Sequence, residues 1–86
     1  MQHLAVKKDN TVIPYRRSQL YLSIARSFQG KAINYELIDK LADTLEVKLL
    51  KLQLLTIPSN RLSQLVLETL KPIDKKAYLH YLAEHS

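Results

Sequence analysis

The sequence predicts a mainly α fold: a four-helix bundle capped by a small N-terminal antiparallel sheet of two or three strands. Three observations carry that expectation. Leu37, Leu41, Leu45, Leu49 and Leu52 recur at helical spacing and make one apolar stripe. Helix-start residues stand ahead of apolar runs at Asn34, Ser59 and Asp74. Ahead of them all, the β-prone runs Leu4 to Val6 and Thr11 to Ile13 flank Asp9-Asn10, a pair suited to a two-residue turn.

The elements follow in order. A hairpin is expected over about residues 4–14, with Asn10 as the residue tolerating a left-handed turn conformation and Pro14 ending the second strand. A first helix over 17–29 places Leu20, Ile24 and Phe28 on one face beside Tyr21, and Gly30, the chain's single glycine, is its natural stop. A second helix over 34–53 is capped by Asn34, with Glu36 in its first turn complementing the helix dipole. Ile38 and Leu55 flank its leucine stripe. Its polar face carries Asp39, Lys40, Asp43, Glu46 and Lys48. Pro58 then forces extended backbone on the residue before it. Ser59 is read as the cap of a third helix over 59–70 that buries Leu62, Leu65, Val66 and Leu70. Asp74 caps a fourth over 74–85 that bears Tyr78, Leu79 and Leu82. The expected core brings Leu37, Leu41, Leu45, Leu62, Val66 and Tyr78 together.

Composition narrows the function. The 86 residues suit one domain, 1–86, and an apolar share of 47% is enough for that domain to collapse around one core. There is no cysteine, which removes disulfides and thiolate chemistry and fits a reducing cytoplasmic setting. Lysine or glutamine interrupts each apolar stretch, so no membrane span is expected. A net charge of +5 favours an anionic partner.

Catalysis finds no support. His3, His80 and His85 lack ligand spacing, and there is no phosphate-binding glycine loop or nucleophile motif. The carboxylates of the second helix are explained by solvation and by pairing with Lys40 or Lys48. Lys7 and Lys8 occupy neighbouring strand positions and therefore point to opposite faces; lysines that merely guard a sheet edge would look the same. Arg16 has no acceptor atom with which to cap a helix, so Ser18 is the substitute cap expected for the first helix.

Two segments at opposite ends of the chain carry a resemblance. The first is Ala5-Val6-Lys7-Lys8-Asp9-Asn10 leading into Ile13-Pro14-Tyr15-Arg16-Arg17. The second is Ile57-Pro58-Ser59-Asn60-Arg61-Leu62 leading into Asp74-Lys75-Lys76-Ala77-Tyr78. In this order and spacing they resemble the ATP-cone, a small nucleotide-sensing module of ribonucleotide reductases and of the repressor of their genes. The resemblance spans Leu4 to Ala83. It implies a helical bundle under a β-hairpin and a regulatory ligand, ATP or dATP with magnesium. The implied binding residues are Ala5, Lys7, Lys8, Arg16, Arg17, Gln19, Leu20, Ser59, Leu62, Ser63 and Val66. Lysines 7 and 8 would meet phosphates, and Leu62 and Val66 would line the base. Three positions depart from the family pattern: Ile13 replaces an acidic residue of some cones, Arg16 an Asp or Asn, and Gln19 a lysine.

By this resemblance the chain is no enzyme but an allosteric sensor, read by a host or partner protein or through self-association. One alternative is a degenerate cone kept as a protein-interaction module. Another is a small basic domain that binds nucleic acid. Against the last, the cations are not gathered on one helix and no recognition helix stands out, so nucleic acid is not expected as the partner of this domain alone.

Overall fold

The N-terminal hairpin forms where the alternation of β-prone residues places it. In a computed structural model, which describes residues 4–28, 32 and 34–85, β1 (Ala5–Lys8) pairs antiparallel with β2 (Thr11–Pro14), Val6 opposite Ile13 and Lys8 opposite Thr11. The turn differs in one detail from expectation. Asp9, with φ of 55°, takes the left-handed conformation rather than Asn10, and a short polar side chain tolerates it there.

The sheet corrects a larger point. Residues Thr56–Pro58 form a third strand, β3, which runs parallel to β1 with Val6 opposite Ile57, giving the order β2-β1-β3. The sheet is therefore mixed, not purely antiparallel. After the long second helix the chain returns beside β1 heading the same way, and the Ala5 N–H donates to the Leu55 carbonyl at 2.9 Å. Ile57 becomes fully buried beneath the sheet.

Helix α1 (Arg17–Ser27) starts from Arg16 without any side-chain cap, so Ser18 does not take over that role. Backbone N–H groups of Gln19 and Leu20 instead reach the Arg16 carbonyl. Phe28 follows as the C-terminal cap; Gln29 and the expected glycine stop at Gly30 lie outside the described residues, as does His3. Helix α2 (Tyr35–Leu52) is capped as the sequence suggests, the Leu37 N–H donating to Asn34 Oδ1 at 3.1 Å. It ends on Gln53, a non-glycine residue with φ of 53°. Ile38, Leu41, Ala42, Leu45 and Leu49 are buried, Leu37 and Leu52 half-buried, and Leu55 lies out in solvent.

Helix α3 (Ser59–Leu70) corrects a cap. Pro58 occupies the cap position, no side chain satisfies the first amides, and Ser59 is already the first helical residue. Helix α4 (Lys75–His85) does have its expected cap, with the Ala77 N–H donating to Asp74 Oδ1 at 3.0 Å. Its inward face is turned from the expected one: Ala77 and Tyr81 are buried, Tyr78 is half-buried, and Leu79 and Leu82 are exposed. With Ala77 against the core, the positions that share its face are three or four residues on, which selects Tyr81.

Helix α1 packs on α2 and α4, α3 packs on the same two helices, and β1 rests on α3. One cluster joins Ile24, Leu45, Val66, Leu70 and Tyr81. Each fully buried aliphatic side chain contributes about 1.5–3 kcal/mol through removal from water. No helix among the described residues is long and apolar enough to cross a membrane.

Candidate functional site

Two hollows are both lined by residues of β1 and of the first turns of α3. The smaller, about 150 Å³, has apolar walls from Val6 and Ile13 of the hairpin, Leu20 of α1, Leu62 of α3 and Tyr81 of α4, with Tyr15 at the β2–α1 connection. Arg16, Gln19 and Ser23 add polar atoms at its margin. The larger, about 390 Å³, lies between Lys7, Lys8 and Asp9 on one side and Pro58, Ser59 and Asn60 on the other. Ser59 and Leu62 are three apart and so share one face of α3, Ser59 lining the larger hollow and Leu62 the smaller. Strand β1 does the same, Val6 serving the apolar hollow and its neighbours Lys7 and Lys8 the polar one.

The electrostatics of the larger hollow favour an anion. Neither Lys7 nor Lys8 makes an ion pair among the described residues, and both are exposed. The uncapped amides of α3 open beside them, and the first turn of that helix holds no acidic side chain. Unsatisfied N–H groups and the positive end of the helix dipole are a recurrent anion site, and Lys7 and Lys8 both border this hollow although neighbouring strand positions were expected to part them.

Arg17 is placed elsewhere. Its Nη1 donates to Glu46 Oε1 at 2.6 Å, and Nη2 lies 2.8 Å from Asp43 and 3.8 Å from Asp39. Those three acids lie on one face of α2 and gather around Arg17, rather than pairing with Lys40 or Lys48 as expected. The Glu46 hydrogen bond is the main cause that raises the arginine's already high pKa. Lys48 turns the other way, donating to Thr69 Oγ1 at 2.8 Å. Tyr15 shares the acidic face: its hydroxyl donates to Glu46 Oε2 at 2.9 Å, and burial first, then Glu46, pushes its pKa well above 10.

The remaining expected residues divide. Lys7, Lys8 and Ser59 come together in the polar hollow; Arg16, Gln19, Leu20 and Leu62 come together in the apolar one. Ala5 is half-buried in the sheet between Pro14 and Thr56. Val66 is fully buried in the core and presents no wall to either hollow. Ser63 is half-buried, lines neither hollow and acts on the Tyr81 hydroxyl. Burial is the larger influence on Tyr81 and raises its pKa, while the Ser63 bond lowers it. Among the described residues no cluster of His, Cys, Asp or Glu could hold a metal ion.

The model of the ATP cone domain family matches residues 4–85. The chain belongs to that family. The transcriptional repressor NrdR of Polaromonas sp. (strain JS666) is 38% identical over 76 residues, covering 88% of this chain and 51% of that protein. The NrdR of Lachnoclostridium phytofermentans is 32% identical over 78 residues, covering 91% and 51%. The cone spans about half the length of these curated relatives. Membership supports the coarse reading of a nucleotide-sensing regulatory domain rather than an enzyme. Relatives that are transcriptional repressors, by contrast, lend no support to excluding nucleic acid as a partner.

Sequence reasoning missed Tyr15 and Tyr81 as walls of the apolar hollow of the cone. A signal existed for Tyr81, because it is the second aromatic of the run Ala77-Tyr78-Leu79-His80-Tyr81. Its ring stacks on His85 at 4.0 Å, as residues four apart on one helix can.

Proposed function

We propose that the cone binds an adenine nucleotide, ATP or dATP, between the hairpin and the starts of α1 and α3. The observation that carries this reading is the juxtaposition of an apolar hollow with a cationic one along β1 and α3. The base enters between Val6, Leu20 and Leu62, and the phosphates extend toward Lys7, Lys8 and the amides at Ser59 and Asn60. Magnesium arrives on the phosphates, which usually supply part of its oxygen shell, and Asp9 is the carboxylate within the same hollow. Arg16 and Gln19 stand at the rim and discriminate among ligands. Arg17 and Val66 act on the fold.

Binding regulates by favouring one conformational or docking state over another, which a host or partner protein or a second copy then reads. The relatives' description as transcriptional repressors favours an output in gene regulation. The test is titration of the domain with ATP and dATP, each with magnesium, and with an oligonucleotide, followed by backbone amide NMR. Shifts centred on Lys7, Lys8, Leu20, Asn60 and Leu62 are expected for the nucleotides. A spectrum unmoved by millimolar nucleotide sinks the sensor reading and favours the degenerate interaction module. Shifts from the oligonucleotide alone favour a nucleic-acid module.

A further inference from the structure

We infer that Glu46 is a positioning residue for the nucleotide site, acting from outside it through the hydroxyl of Tyr15. This deepens the nucleotide reading above and rests on it. Tyr15 is among the residues lining the apolar hollow, whereas Glu46, on α2, lines neither hollow. Two hydrogen bonds hold Tyr15 from opposite directions. Its backbone N–H donates to the Leu4 carbonyl at 2.9 Å, extending the hairpin ladder by one residue. Its hydroxyl donates to Glu46 Oε2 at 2.9 Å.

The carboxylate is itself oriented. Glu46 Oε1 accepts from Arg17 Nη1 at 2.6 Å, and Arg17 Nη2 is fixed by Asp43 at 2.8 Å. A relay of charge-assisted bonds therefore runs from the α2 surface to the pocket wall. Such bonds are shorter and stronger than neutral ones, and the Arg17 guanidinium can serve both acids at once. With its hydroxyl tied, the phenol ring keeps a single placement; untied, it is able to turn into a hollow of only about 150 Å³ and obstruct the base. The relay also keeps Arg17 on α2, which leaves Arg16 and Gln19 to line the hollow. Glu46 thus sets ligand affinity without touching the ligand.

The experiment compares ATP affinity, by calorimetry, for the wild-type chain, Tyr15→Phe, Glu46→Ala, Glu46→Gln and the Tyr15→Phe/Glu46→Ala double variant. Tyr15 ring proton shifts are recorded for each tyrosine-bearing protein without ligand. Tyr15→Phe and Glu46→Ala are each expected to weaken ATP binding by about three- to tenfold, the range for losing one modest hydrogen bond. The double variant should be no worse than the weaker single one, because both act through the same bond. Glu46→Gln, which keeps an acceptor, should recover part of the loss, and the ring shifts should move in Glu46→Ala. A merely structural role lowers the melting temperature while leaving these affinities and ring shifts unchanged; that result, or additive losses, overturns the inference with nucleotide binding intact. Should Glu46→Ala not fold, the cycle built from Tyr15→Phe and Glu46→Gln decides by the same criterion. A wild-type chain that binds no ATP overturns the nucleotide reading and this inference together.

Discussion

Cations on the two sides of the hairpin have opposite surroundings. On the α1–α2 side, Arg17 is enclosed by Asp39, Asp43 and Glu46. On the β1–α3 side, Lys7 and Lys8 face uncapped helix amides with no carboxylate pairing to them among the described residues. The family resemblance placed all three among the nucleotide-binding residues. The difference teaches that a cation's role follows from the acids the fold brings beside it: surrounded by carboxylates it braces helices, and without them it remains available to an anion.

The comparison can be broken at several depths. The largest effect belongs to the core beneath both sides: Leu45→Ala, at a fully buried position, should cost about 2–5 kcal/mol in chemical denaturation. A variant with an unchanged unfolding midpoint would refute the placement of α2. Next, replacing Lys7 and Lys8 together by Ala should lower ATP affinity at least about tenfold, since charge-assisted contacts are each worth about 1.5–3 kcal/mol. The melting temperature should hold, because both lysines are exposed. Loss of stability with unaltered affinity would reverse the assignment of that side.

Smaller effects sharpen the contrast between helix starts. Asn34→Ala should cost about 1 kcal/mol, as expected for a side chain that accepts from the third residue of its helix. Ser59→Ala should leave stability nearly unaltered, because Ser59 caps nothing, yet weaken ATP if its hydroxyl donates to phosphate. Arg17→Ala should cost about 1 kcal/mol or less, given that its side chain is 37% exposed and solvent screens its ion pairs. It should also affect ATP less than the lysine pair does. Titration of Tyr15 comes last. Its folded-state pKa is raised above the ordinary 10.0, so its contribution is present in full below pH 10 and is lost as the pH climbs above that value. Alkaline unfolding monitored by circular dichroism should begin later in Tyr15→Phe than in the wild type.

Local patterns made much of this architecture legible. Asn34 and Asp74 cap their helices by the acceptor chemistry that singles them out, and Leu41, Leu45 and Leu49 are buried as their spacing requires. The misreadings share a physical origin. Whether Thr56–Pro58 becomes a strand, and in which direction, depends on β1, which lies beyond two helices and supplies no local cue. The choice of Tyr81 over Tyr78 turns on the rotation of α4, a quantity fixed by α1 and α3 packing against it. Ser59 has the composition of a cap, but Pro58 takes the position because the strand ends there in extended backbone. At the site, the lysines and Leu62 were readable from motif positions, whereas the capture of Arg17 required knowing which face of α2 lies opposite it.

The parallel pairing of β1 with β3 has a kinetic consequence. The hairpin closes through near neighbours and can form within microseconds, whereas β3 joins β1 only by closing the long stretch of chain that holds α1 and α2, a non-local pairing that is intrinsically slower. Lys7 and Ser59 meet only across that late junction. An emerging chain therefore passes through states that already possess helices but lack the cationic hollow. Competence for the proposed ligand arrives with the final closure, and a ligand that binds only the closed form retards its reopening.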